Sequence, residues 1–99
     1  MILVDRPVWG GAGDTVRCAH LASDTSYEEL HRFVEGLRLP RPPRFHGDHY
    51  DVAAAWWDEV VAAGATVVSS RELVRRLRDA GLRRTRRDGV RGAARARHR

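Results

Sequence analysis

The 99-residue sequence predicts a small single α/β domain over residues 1–82, in which three main strands, mainly parallel, alternate with three helices. Three observations carry that reading. Ile2-Leu3-Val4 and Ala65-Thr66-Val67-Val68 are short, continuous apolar runs of the kind that form buried strands. Apolar residues recur at helical spacing after Thr25, Asp51 and Ser69. The two kinds of segment follow one another in turn, which favours right-handed crossovers between parallel strands in two or three layers.

Taken in order, Ile2–Val4 forms the first strand and delivers Asp5 to its carboxyl end. Pro7, Gly10, Gly11 and Gly13 then interrupt regular structure around Val8-Trp9, and residues 16–21 supply an extra short strand. Thr25-Ser26-Tyr27-Glu28 has the form of a capping box, so a helix starts from Thr25 with Tyr27, Leu30, Val34 and Leu37 on its inner stripe. Pro40-Arg41-Pro42-Pro43 ends it. Arg44-Phe45-His46 enters a second main strand and Gly47 a turn. Asp51 is placed to cap a helix running through Ala53–Ala63 to Gly64. Ala65–Val68 is the third main strand. Ser69-Ser70-Arg71-Glu72 repeats the capping pattern, and Leu73, Val74, Leu77 and Ala80 face the core of a last helix that stops at Gly81.

Composition excludes several classes. A chain of 99 residues with 42% apolar content buries one core, so a multidomain enzyme is excluded. There is no run of 18 apolar residues, and Asp5 interrupts the first apolar run too early for a signal peptide; a soluble, cytoplasmic protein without a membrane partner is expected. The single Cys18 rules out an internal disulfide and a cysteine-based zinc site. The formal charge of +5 is unevenly distributed: residues 82–99 carry +7 and residues 1–81 carry −2. All 18 basic residues are arginine, a bias that high-GC coding also produces. Residues 83–99 have no apolar stripe, so a flexible Arg-rich tail is expected there.

Ionisable residues gather at the predicted strand ends and helix starts. Met1-Ile2-Leu3-Val4-Asp5, the loop bearing Trp9, His20-Leu21 with Ser23 through His31, Asp48-His49-Tyr50-Asp51-Val52 and Val68 through Leu73 together resemble a family of short bacterial and phage proteins, the domain of unknown function 4031 family. The resemblance covers about residues 1–82 and implies no activity, so site assignments rest on the residues themselves.

Asp5, His46, Asp48 and His49 are the candidate ligands of a divalent metal, zinc, manganese or iron, because imidazoles and carboxylates suit all three. Asp5, Asp48 and His49 are also the candidate catalytic groups, and these four residues are expected to meet in an exposed concavity at the carboxyl ends of the first two main strands. His20, Asp24, His31, Tyr50, Ser70 and Arg71 are candidate ligand-binding residues, with Ser70-Arg71 holding an anion at a helix start. Capping alone accounts for Asp24, Asp51 and the two serines, and packing alone accounts for Tyr50, His20 and His31. Cys18 lacks the third orienting group of thiol catalysis, and Gly10-Gly11-Ala12-Gly13 lacks the Gly-Lys-Ser/Thr ending of a phosphate loop.

Two functional expectations follow. One is metal-assisted hydrolysis of a phosphoester or similar polar substrate by the His/Asp cluster. The other is a non-catalytic accessory protein that binds nucleic acid through residues 83–99, or a protein partner, with Trp56-Trp57 as core contacts or as the contact of a homodimer.

Overall fold

The computed structural model describes residues 1–9, 17–41 and 43–84. Its elements are β1 (Ile2–Val4), β2 (Val8–Trp9), β3 (Arg17–Ser23), α1 (Tyr27–Leu37), β4 (Arg44–Phe45), β5 (Tyr50–Ala53), a 3₁₀ turn (Ala54–Trp56), α2 (Trp57–Ala62), β6 (Thr66–Val67) and α3 (Ser70–Asp79). The sheet order is β4-β5-β3-β1-β6, with β2 also paired to β3. The glycine-rich stretch from Gly10 to Asp14, Pro42 and residues 85–99, the bulk of the expected tail, lie outside the described residues.

The domain is α/β, but its sheet is mostly antiparallel, which corrects the mainly parallel expectation. Among the described strands only β1 and β6 run parallel, with Leu3 opposite Thr66. The seven-residue β3 is the cause. It follows β1 and β2 in the chain and pairs antiparallel to β1, β2 and β5. A segment expected to be a short extra strand is therefore the central one. Period-2 alternation is hard to see in it because its last three residues, Leu21, Ala22 and Ser23, are all buried.

Helices cover both faces. On one side Ile2, Val4, Ala19, Leu21 and Val52 pack with Leu30 of α1 and Val60 of α2, and half-buried Trp56 and Trp57 join this core. On the other side Leu3 and Ala22 meet Leu73 and Leu77 of α3. Leu3, Leu21, Leu30 and Leu77 are fully buried, each stabilising the fold by roughly 1.5–3 kcal/mol relative to exposure. No described helix is long and apolar enough to cross a membrane.

Two local expectations also change. The cap of α1 is Ser26, whose hydroxyl accepts from the Glu29 amide, one residue beyond the expected Thr25. Thr25 is instead drawn to Ser23, whose hydroxyl accepts its amide. Asp51 caps no helix: it lies in β5, where it faces His20 of β3 and Arg44 of β4, and α2 begins only after the 3₁₀ turn, from Trp56, without a side-chain cap. The expected start of that helix at Ala53 is thus displaced by the β4–β5 hairpin. The third cap agrees with the sequence, with Ser69 accepting from the Glu72 amide.

Candidate functional site

Strand alternation sets the site. His20 lies two residues before Ala22 and shares its side of β3, the side covered further along by α3. Asp51 is the direct cross-strand neighbour of His20, and Asp5 extends the same side of β1 beyond Leu3. The His46–His49 turn, closed by the His46 amide donating to the His49 carbonyl at 2.7 Å, brings a second group of residues over this patch. Gly47 takes φ 80° within it, a conformation that costs glycine least.

Two carboxylates lie at the base of the site, Asp5 and Asp48, each 1% exposed. Asp5 Oδ1 accepts the His20 amide at 2.6 Å, and Oδ2 accepts His20 Nδ1 at 2.7 Å and the Ser70 hydroxyl at 2.6 Å. Burial disfavours its charge, but the bonds from the His20 ring, Ser70 and the His20 amide outweigh burial and hold the carboxyl below its ordinary range. The same bond to Asp5 raises the His20 imidazole above its ordinary value, against the effect of burial. Trp57 fixes this strand end from the opposite core by donating its indole N–H to the Asp5 carbonyl at 2.8 Å.

Asp48 repeats the device on His49. Its Oδ1 meets His49 Nδ1 at 2.6 Å, while Oδ2 accepts the Arg84 amide at 2.7 Å and Arg83 Nη1 at 3.3 Å. Arg83 and Arg84, the first two residues of the segment expected to be a free tail, are thus docked on the domain. The Arg84 guanidinium also lies 4.6 Å from the Tyr27 ring centre, and the Tyr27 hydroxyl donates to the Leu82 carbonyl.

With both Nδ1 protons directed to carboxylates, His20 and His49 present their Nε2 atoms outward. The two rings stand edge to face at 5.1 Å. One ligand atom from each of His20, His49 and Asp51 lies within 4.8 Å of the other two. His49 Nε2 is 3.2 Å from Asp51 Oδ1, and His46 Nε2 is 2.9 Å from Asp51 Oδ2. A cleft of about 260 Å³ opens beside this cluster, lined by Asp5, His20, His49, Ser70 and Arg83 among others.

Asp5, His46, Asp48 and His49 therefore gather in one region, but with different exposures from those expected. Asp5 and Asp48 are both buried beneath the histidines, and of the two only Asp5 contributes to the lining of the cleft. His46 reaches only the far oxygen of Asp51, with its ring stacked 5.7 Å from that of His49. Of the six candidate ligand-binding residues, His20 and Ser70 line the cleft. Asp24 is elsewhere, paired with the amino terminus at 3.0 Å and Arg76 at 3.4 Å. His31 and Tyr50 bond each other at 2.7 Å beside Phe45, on the side of the sheet that faces α1. Arg71 is exposed on α3 and joins Arg75 and Arg78 around an adjoining concavity that shares Ser70 and Val74 with the cleft.

The sequence alone assigns Asp51 to capping, because an acid before an apolar helical stretch has the form of a cap. The available signal was strand alternation, which would have put His20 and Asp51 on one face once β3 and β5 were paired. No curated protein and no solved structure matches the chain. A family model described as "Protein of unknown function (DUF4031)" matches residues 2–80, a span that holds every member of the cluster but not Arg83 or Arg84, and the chain belongs to that family.

Proposed function

We propose that His20, His49 and Asp51 bind one divalent transition-metal ion and that the protein uses it to hydrolyse a phosphoester or similar anionic substrate. The observation that carries this reading is the way both imidazoles are held. A carboxylate on Nδ1 fixes the tautomer and increases the basicity of Nε2, the usual outer-shell arrangement of metal-bound histidine. His49 Nε2 also stands 3.2 Å from a carboxylate oxygen of Asp51, close enough for both atoms to act as neighbouring ligands of one cation. Neighbouring ligands at such a separation suit a metal bound at about 2.0–2.2 Å from each.

Two imidazoles and one carboxylate leave further coordination positions for water and substrate. An ion held by His20, His49 and Asp51 would supply Lewis acidity to the phosphoryl oxygen and to the attacking water. The water oxygen forms the new P–O bond as the ester P–O bond breaks, its proton passes to solvent, and the departing oxygen takes one up. No electron is transferred overall. Arg83, at the rim of the 260 Å³ cleft, supplies positive charge to the substrate oxygens.

Titration of metal-free protein with zinc, manganese and ferrous iron tests the centre, and a single binding equivalent is expected. His20→Ala and His49→Ala should each weaken binding by more than about 100-fold, and Asp5→Asn, which keeps the side chain's shape, by about 10–100-fold. Equal affinity in wild type and His49→Ala overturns the centre. Metal binding without metal-dependent turnover of bis(4-nitrophenyl) phosphate overturns the phosphoester chemistry.

A further inference from the structure

The proposed centre forms a partition between two clefts. His20 and His49 line the 260 Å³ cleft with Arg83, whereas His46 and Asp51 line a second one of about 630 Å³ with Arg41 and Arg44. The 3.2 Å contact between His49 and Asp51 separates them. An ion held by those two residues is therefore approached from both sides, and each side has arginine on its wall.

The two arginines of the larger cleft differ from most of those on the helices. Arg32, Arg75 and Arg76 each meet a carboxylate within 3.6 Å. Among the described residues, Arg41 and Arg44 form no ion pair, and both are exposed in the segment between α1 and β5. Beside them the cleft wall turns apolar, with Leu39, Val52 and the half-buried Trp56. Two arginines lining one cleft beside an aromatic and aliphatic wall suit a phosphate joined to a flat heterocycle, because the cations meet the anion while the wall takes up the base.

A substrate charged only at its reacting group requires cationic residues on one side of the metal. Cationic residues on both sides suit a reacting phosphodiester with another phosphate next to it. Resting on the hydrolase reading above, we infer that the substrate is a single-stranded nucleic acid lying across the partition, its scissile phosphodiester at His20, His49 and Asp51 and a flanking nucleotide in the Arg41/Arg44 cleft. Duplex DNA is disfavoured because its paired and stacked bases are not available to the apolar wall.

The test compares the full chain with its Arg41→Ala/Arg44→Ala form, using anisotropy of a fluorescent ten-nucleotide single-stranded DNA and of the same sequence as a duplex. Both proteins contain residues 85–99, so the arginines of that segment cancel. Single-strand affinity should fall about 10-fold, and the slope of log affinity against log salt should become shallower by about one to two. The duplex should show a smaller change. In turnover, the ratio of oligonucleotide cleavage to bis(4-nitrophenyl) phosphate hydrolysis should fall about 10-fold. An unchanged single-strand affinity, or an equal loss for single strand and duplex, overturns the inference. If hydrolysis of the small diester needs His49 and metal while Arg41→Ala/Arg44→Ala leaves DNA binding unaffected, the path is wrong and the hydrolase reading stands. If no metal binds yet the double substitution still weakens single-strand binding, the hydrolase reading falls and the nucleotide cleft stands. Both arginines are exposed, and unchanged thermal melting of the double variant confirms that folding is not the cause.

Discussion

His20 and His31 are both half-buried histidines with Nδ1 in a 2.7 Å hydrogen bond, on opposite sides of one small sheet, yet their surroundings differ in kind. His20 bonds a buried carboxylate, and its neighbours are a second imidazole and a second carboxylate. His31 bonds the neutral hydroxyl of Tyr50 and is set among ring edges, with Phe45 at 4.9 Å and Tyr50 at 5.7 Å. Burial raises the Tyr50 hydroxyl above its ordinary pKa, so the phenol stays un-ionised well beyond neutral pH. A histidine next to a phenol packs; one held by a carboxylate, with another of the same kind nearby, has the surroundings that the proposed metal site requires.

The largest expected difference is therefore in metal binding. His31→Ala should leave the affinity of the full chain unchanged to within about 2-fold in calorimetric titration, whereas His20→Ala loses more than about 100-fold. Equal losses would erase the distinction between the two faces.

Stability should follow in the same direction. Asp5→Ala removes the acceptor of three hydrogen bonds at a buried position and should cost about 2–3 kcal/mol in urea unfolding of the metal-free chain. The partial exposure of His20 keeps this below the cost of a fully buried pair. Tyr50→Phe, which removes only the bond to His31, should cost about 1 kcal/mol or less. A larger cost for Tyr50→Phe than for Asp5→Ala would reverse the comparison.

The pH profile sharpens it further. Asp5 has a folded-state pKa below its unfolded value, so its contribution is present above the unfolded carboxylate pKa and is lost as pH falls through the folded one. His20 has a folded-state pKa above its unfolded value, so its contribution is full below the unfolded imidazole pKa and is lost as pH rises through the folded one. Metal-free protein should thus have a stability maximum between the two ranges, and Asp5→Asn should flatten both limbs. The midpoint of denaturation against pH measures this directly, and limbs unchanged in Asp5→Asn would assign them to other groups. The smallest expected effect is that of Arg83→Ala, about 0.5–1 kcal/mol, because its 3.3 Å contact with Asp48 is partly exposed while the Arg84 amide stays on the same oxygen.

Strong local patterns were legible in the sequence. Ile2–Val4 is a buried strand ending at Asp5, Ser69 caps a helix with Leu73 and Leu77 inside, and the Leu30-centred stripe of α1 packs on the sheet as its apolar spacing indicates, although its cap falls one residue later than Thr25. That His46, Asp48 and His49 belong to one polar region was also legible, because four residues confine them. What misled was Asp51: its own segment cannot distinguish a helix cap from a strand residue.

By itself, then, the sequence determined the elements whose signals are local, a run, a stripe or a hydroxyl at a helix start, because these depend on residues within a turn or two of each other. Only the tertiary structure decided the direction of the sheet and the identity of the cluster. Asp5 and His20 are 15 residues apart, and Asp5 and Ser70 are 65 apart. Their meeting depends on β3 returning antiparallel beside β1 and on α3 closing over the far end of that face. The face each side chain takes in a strand reverses with a one-residue change in register, so pairing, not composition, made His20 and Asp51 neighbours.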